Sequence, residues 1–199
     1  MRRKWKPLLL ILSLLVNIIG ISGLGCSDYR TFTLREGIAH LSFQYPSRYE
    51  LDSVNLGNIY LGASTDIFFF TAPLKAPDLH DAMIEIYVSN PYEKWSNSDE
   101  SIASYLSFWS RDEGFQLMER SSVTVAGVQG TQIVYYRTSH LAEPTNPGIP
   151  MVRTPVIVRK VFFDYKNQIW RISVMGHESL ADIINADFEH IVQTFKILN

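Results

Sequence analysis

Cysteine occurs once in the 199 residues, at Cys26, so no disulfide within the chain is possible in any redox compartment. Acidic residues are absent before Asp28, whereas Arg2, Arg3, Lys4 and Lys6 crowd the first six positions. No low-complexity tract and no repeat is visible, which excludes solenoids and arrays. Gly-x-Ser-x-Gly, a phosphate-cradling glycine loop and His-Glu-x-x-His are all missing, and with them the common hydrolase, nucleotide and zinc-protease signatures. A strong positive balance is missing too. Removing residues 1–25 takes Lys+Arg from 18 to 14 and leaves Asp+Glu at 20, so the remainder carries −6. Such a body is a poor partner for nucleic acid or for an anionic surface. What is present is globular: 46% hydrophobic, 13% aromatic and 19% charged residues, enough for one domain with a sizeable core.

The N-terminus has the order of a secretory signal. A basic stretch, MRRKWKP, precedes Leu8 to Ile21, which holds no charge and has Asn17 as its one strongly polar residue; Ser22, Gly23 and Gly25 follow as small residues. Arg2-Arg3 lacks the rest of a twin-arginine pattern, so ordinary secretion is expected. The Gly25-Cys26 junction resembles the bacterial lipoprotein signal, in which cleavage after the residue at Gly25 leaves the cysteine as a lipidated first residue. Gly23 and Leu24 stand in the reverse of the usual order there. Two other outcomes stay open: cleavage before Cys26 by a general peptidase using Gly23 and Gly25, or retention of Leu8 to Gly25, 18 residues, as an uncut anchor. Cys26 is the expected lipid attachment point, and acyl chains stabilise attachment by about 0.8 kcal/mol per buried methylene. The expected division is a leader over 1–25, a tether over 26–30 and one domain over 31–199. At about 3.3–3.6 Å per residue the tether reaches under about 20 Å, which keeps the domain beside its membrane.

Beyond the tether, Ile38–Pro46 alternates as a strand, with Ala39, Leu41, Phe43 and Tyr45 on one side. SRYELDSVNLGNIYLGAS reads as loop, with at most a short helical turn. TDIFFFTAP and DAMIEIYVSN read as strands, the second with Ile84, Ile86 and Val88 on one face. In SNSDESIASYLSFWSRDEG, Asn97 or Ser98 caps a helix whose stripe is Ile102, Tyr105, Leu106 and Trp109. Two strands turning at Ala126–Gly130 follow, then a proline-rich loop over 141–151. A hairpin turning at Lys166-Asn167 leads to a closing helix with Leu180, Ile183, Ile184, Phe188, Ile191, Val192 and Phe195 on one face. Strands joined by turns favour antiparallel pairing, so the expected class is α+β: a curved antiparallel sheet covered by helices, an α/β/α sandwich.

Four segments in order carry a family resemblance: LSFQYPSRYEL, SIASYLSFWSRDEGF, SSVTVAGVQGTQIVYYR, and the long run from Arg159 to Ile197 that holds the last hairpin and helix. Over roughly residues 31–197 the layout is similar to the PsbP family, the fold of the photosystem II extrinsic protein and a Ran-binding nuclear protein. The resemblance implies a scaffold that binds or helps assemble partners, with no cofactor and no reaction of its own.

The residues themselves offer weak chemistry. Asp78, His80 and Asp81 stand together, and His177 precedes the last helix, but metal sites need three or four converging ligands, so no metal is expected. His190 falls on the solvated flank of that helix. Asp99, Glu100, Asp112 and Glu113 read as helix-end acids. Arg153, Arg159, Lys160 and Arg171 form a modest basic strip expected to pair with surplus acids. Aromatics are dense, including Phe69, Trp95, Trp109, Tyr135 and Phe162. Phe108 lies off the buried stripe of its helix and is the candidate partner surface. Two readings follow. One is a membrane-anchored extracytoplasmic lipoprotein, held by its N-terminal acyl chains, that acts as a non-enzymatic binding or assembly module with a protein partner and no nucleic acid. The other is a small-ligand carrier or weak hydrolase with a pocket beside 141–151.

Overall fold

The computed structural model describes residues 28–60, 63–72, 82–91, 95–112, 114–139 and 154–198. Gly25 and Cys26, the Asp78-His80-Asp81 cluster, and loop 141–151 lie outside the described residues.

Side-chain alternation organises the main sheet. Strand β8 (Thr154–Tyr165) sends Val156, Val158 and Phe162 into one buried cluster and Ile157, Val161 and Phe163 into another, so both of its faces are covered. The same division runs through β9 (Gln168–His177), where Trp170, Ile172 and Val174 join one cluster and Met175 the other. The turn between these strands is Lys166-Asn167 with φ of 47° and 60°, the two-residue geometry that matches strand twist. Ala126-Gly127, with φ of 50° and 81°, closes the hairpin of β6 (Gln116–Val125) and β7 (Val128–Ser139) in the same way. With β3 (Glu50–Tyr60), β4 (Ala63–Thr71) and β5 (Ala82–Ser89), seven antiparallel strands lie in the order β3-β4-β5-β9-β8-β7-β6.

Helix α1 (Ser98–Trp109) sits on one face of this sheet. Asn97 accepts from the Glu100 N–H at 2.9 Å, which satisfies a donor orphaned at the helix start, and Glu100 reaches back to accept from the Ser96 N–H at 2.7 Å. The Ser98 N–H and hydroxyl both donate to Asp164 at the end of β8, which fixes the helix start to the sheet. Ile102, Tyr105 and Leu106 then pack on Ile133, Tyr135, Val158 and Phe162.

The other face carries α2 (Ala181–Thr194) and a second sheet, ordered β1 (Tyr29–Leu34), β2 (Leu41–Pro46), β10 (Lys196–Ile197). Phe32, Phe43, Phe70 and Tyr45 meet between the sheets with ring centroids 4.9–5.9 Å apart, and Phe195 closes the cluster against Trp170 and Phe163. The expected single sheet covered by helices is therefore two sheets and two helices. The strand at Leu41–Pro46 pairs with β1 and β10 instead of entering the main sheet.

Three other expectations are corrected. Residues 50–60, read as loop, form β3; two register shifts, at Leu51/Ser53 and Asn55/Asn58, break the alternation that would have revealed it. Strand β1 opens at Tyr29, so Tyr29 and Arg30 belong to the sheet and not to the tether. Ile183 is 45% exposed, because Glu178–Leu180 form a 3-10 turn and the helix proper buries Ile184, Phe188, Ile191 and Val192. Asp187 shares that stripe. It accepts from Tyr49 at 2.7 Å and pairs with Arg48, tying α2 to the chain after β2.

Candidate functional site

Helix α1 covers β7 and β8 but stops short of the strands beyond them. On the same face β9 presents Arg171, Ser173 and Met175, β5 presents Met83 and Glu85, and β4 presents Phe69. Between these residues and α1 opens a cleft of about 520 Å³, walled also by Trp95, Ser104, Tyr105, Phe108, Trp109, Arg137 and Lys160. The volume lies in the range of small-ligand sites. Two smaller hollows, of about 310 and 380 Å³, lie elsewhere, and each has a single cation in its lining.

Register explains how three cations come to meet there. Glu85, Ser173 and Lys160 stand side by side across β5, β9 and β8. Ser173 is fully buried and small, so the Lys160 ammonium reaches past it to Glu85 at 3.3 Å. The same ammonium bonds the Tyr105 hydroxyl at 3.2 Å and lies 4.4 Å from that ring's centre. Tyr105 and Tyr135 share a hydroxyl–hydroxyl bond of 2.5 Å. One row along, Arg171 lies beside Tyr87 in register, and its guanidinium stacks 3.5 Å over the Tyr87 ring and 5.6 Å from the centre of Trp95. Arg137 stacks 4.1 Å over Trp109. Lys160 is 2% and Arg171 8% exposed, which is rare for these residue types.

The electrostatics follow from that packing. Burial pushes the Glu85 carboxyl up, but Lys160, Arg171 and Arg137 outweigh it and hold the group below its ordinary value. Burial, and then Tyr105, push the Tyr135 hydroxyl well above the ordinary phenol value. Among the described lining residues Glu85 is the one carboxylate, and it is engaged by Lys160. Positive groups therefore outnumber negative ones by two. The Nε atoms of Arg137 and Arg171 are buried without a hydrogen-bond partner among the described residues. Such an arrangement can hold a negative group against flat apolar surface.

The residues singled out in the sequence are dispersed. Phe108 is 66% exposed at the rim of the cleft, edge-on to Trp109 at 5.0 Å. His177 caps the 3-10 turn: its Nδ1 accepts from the Ser179 N–H at 3.1 Å and lies 2.7 Å from the Ser179 hydroxyl. His190, expected on a solvated flank, stacks on Tyr29 with centroids 3.7 Å apart. No group of three His, Cys, Asp or Glu that would hold a metal occurs among the described residues. The basic strip is split by alternation: Arg159 faces α2 and pairs with Glu189, whereas Lys160 and Arg171 face the cleft. Arg137 and Glu85 were missed. The signal for Glu85, Lys160 and Arg171 was there, since each falls in phase with buried apolar neighbours two residues away, as Lys160 does with Val158 and Phe162.

Comparison with solved structures aligns 88% of this chain with 96% of the cyanobacterial PsbP (CyanoP) of Synechocystis, at a TM-score of 0.53 and 11% identity. The fold is PsbP-like. LpqN of Mycobacterium tuberculosis, described as involved in cell envelope biogenesis, aligns at a TM-score of 0.42 (11% identity, 87% of this chain and 93% of that one). A Pseudomonas aeruginosa protein of unknown function matches at the same score, with 14% identity over 80% of this chain and 91% of its own. No family model and no curated protein matches the chain.

Proposed function

We propose that this chain is a membrane-tethered, extracytoplasmic binding module, without a reaction of its own, whose working site is the cleft beneath α1. The cleft carries the reading: it combines an aromatic wall with cations fixed by stacking, and its one carboxylate is committed to Lys160. The leader pattern ending at Gly25-Cys26 supports the tether, and the PsbP-like fold supports a scaffold role. The volume of the cleft favours a small-ligand carrier over a surface that docks only large partners.

Two measurements test this. Intact-mass analysis and fractionation of wild type and Cys26→Ala test the tether: wild type is acylated and sediments with membranes, and the variant is neither. An unmodified wild-type thiol, or a variant that stays equally membrane-bound, overturns it. Native mass spectrometry of the full chain extracted from membranes tests the cleft. A co-purifying small molecule is present in wild type and lost in Ser104→Trp, which fills the mouth; identical spectra overturn the assignment.

A further inference from the structure

We infer that the cleft binds a small amphiphilic anion, with a phosphate-monoester head among Arg137, Lys160 and Arg171 and a flat or chain-like apolar body against Phe69, Met83 and Phe108. This deepens the binding-module reading and rests on it.

Charge decides the head. Among the described residues, three cations and one carboxylate line the cleft, and the carboxylate is bonded to Lys160 at 3.3 Å. Arg137 and Arg171 have no acidic side chain within bridging distance among the described residues. Arg171 is 8% exposed, and stacking on Tyr87 offsets part of its desolvation, but a cation–π contact is worth about 0.5–2 kcal/mol, whereas burying an unpaired charge costs several. An anion resolves the deficit. A phosphate monoester carries about −1.5 to −2 near neutral pH, which matches an excess of two positive charges. The guanidinium fork meets its oxygens two at a time. Stacking also holds each guanidinium plane in place before the ligand arrives, so little ordering cost remains on binding.

Shape decides the body. The walls away from the cations are Phe69, Met83 and Phe108, all apolar. A bare inorganic anion leaves them wet; an ester with a ring or short chain covers them. The long-range field points the same way. The chain beyond residue 25 carries −6, so an extended anionic surface is repelled, while a compact anion that enters the cleft meets the local cations.

Calorimetry on the full chain in zwitterionic nanodiscs tests this with four probes: 1-naphthyl phosphate, water-soluble dihexanoyl phosphatidic acid, neutral 1-naphthyl glucoside and inorganic phosphate. At least one ester binds one-to-one, at least tenfold tighter than the glucoside and than inorganic phosphate. The tighter of the two esters shows whether the source is a lipid headgroup or a free metabolite. Arg171→Gln weakens the ester at least tenfold, Arg171→Lys recovers part of the loss, and Arg159→Gln, on the opposite face, changes nothing. Thermal melts confirm that each variant is folded. Equal binding of ester and glucoside, an unaffected Arg171→Gln, or no ester binding overturns the inference. If the glucoside alone binds and Ser104→Trp abolishes it, the cleft remains the binding site and only the anionic head is wrong.

Discussion

Asp66 is fully buried on β4 and accepts three backbone N–H groups: Ile38 at 2.7 Å and Ala39 at 2.8 Å on Oδ2, and Gly57 at 2.7 Å on Oδ1. It joins the turn before β2 to the bulge in β3, two segments with little regular pairing of their own. Asp66→Ala removes all three acceptors at once. A buried donor left unpaired costs about 1–3 kcal/mol, so the loss is about 3–6 kcal/mol after partial relaxation toward water. Asp66→Asn keeps one oxygen where Oδ2 stands and places an amide NH2 against the Gly57 N–H, so about 1–3 kcal/mol is lost. Gly37→Ala attacks the same knot sterically: its Cβ would lie 2.3 Å from Oδ2, at a φ of +75° that disfavours a side chain. Urea denaturation with linear extrapolation measures the series, and the midpoint shifts while the slope is preserved. A typical domain has only about 5–15 kcal/mol in hand, so Asp66→Ala sits near the edge of folding at 37 °C. If Asp66→Ala costs less than about 2 kcal/mol, or less than Asp66→Asn, the three bonds do not act as a clamp and this account of the β2–β3 junction is wrong.

Other outcomes are equally direct. Ala126→Asn places the preferred residue at a left-handed turn position and raises stability by about 0.5–1 kcal/mol in the same assay; a loss would show that the turn geometry is different. Glu85 titrates below its ordinary value of 4.5, so its contribution is complete above about pH 4.5 and fades as pH falls through the lower folded value. The melting-temperature gap between wild type and Glu85→Gln is therefore widest above that pH and closes in acid. Burial, and then Asp187, push the Tyr49 hydroxyl above its ordinary value of 10, so the stability it contributes is complete below pH 10 and falls away in stronger alkali. Tyr49→Phe costs about 1 kcal/mol at pH 7 and removes that alkaline decline.

Sequence pattern reached furthest where periodicity was unbroken. Strands β5, β8 and β9, both tight turns and α1 with its Asn97 cap follow from alternation, from residues tolerant of φ > 0 and from capping chemistry. Pattern failed where tertiary pairing, not local preference, makes the element: β3 with its two bulges, and the separation of β2 into a second sheet. The phase of α2 was off at Ile183 because a 3-10 turn precedes it. For the cleft, the ingredients were legible and the assembly was not. Lys160 and Arg171 were grouped with Arg159 as one strip, although alternation alone assigns Arg159 to the opposite face. That Lys160 meets Glu85, 75 positions away, depends on strand order, which no local pattern encodes.

Ser173 shows how closely the cleft depends on that order. It is fully buried between Glu85 and Lys160 in register, and its hydroxyl has no hydrogen-bond partner among the described residues. A small side chain, not a polar one, is what the position requires. Ser173→Ala is therefore neutral to slightly stabilising, since it deletes an unsatisfied hydroxyl and leaves the ion pair intact. Ser173→Val introduces two methyl groups where the ammonium passes, and costs about 2–4 kcal/mol through crowding and a separated pair. Lys160→Met breaks the same pair from the other side. Because both variants destroy one interaction, their double mutant loses less than the two singles together, and the shortfall measures the pair. Strict additivity would mean that Ser173→Val acts by crowding alone. The Glu85–Lys160 bond would then not be what sets the two arginines apart as the uncompensated charges of the cleft.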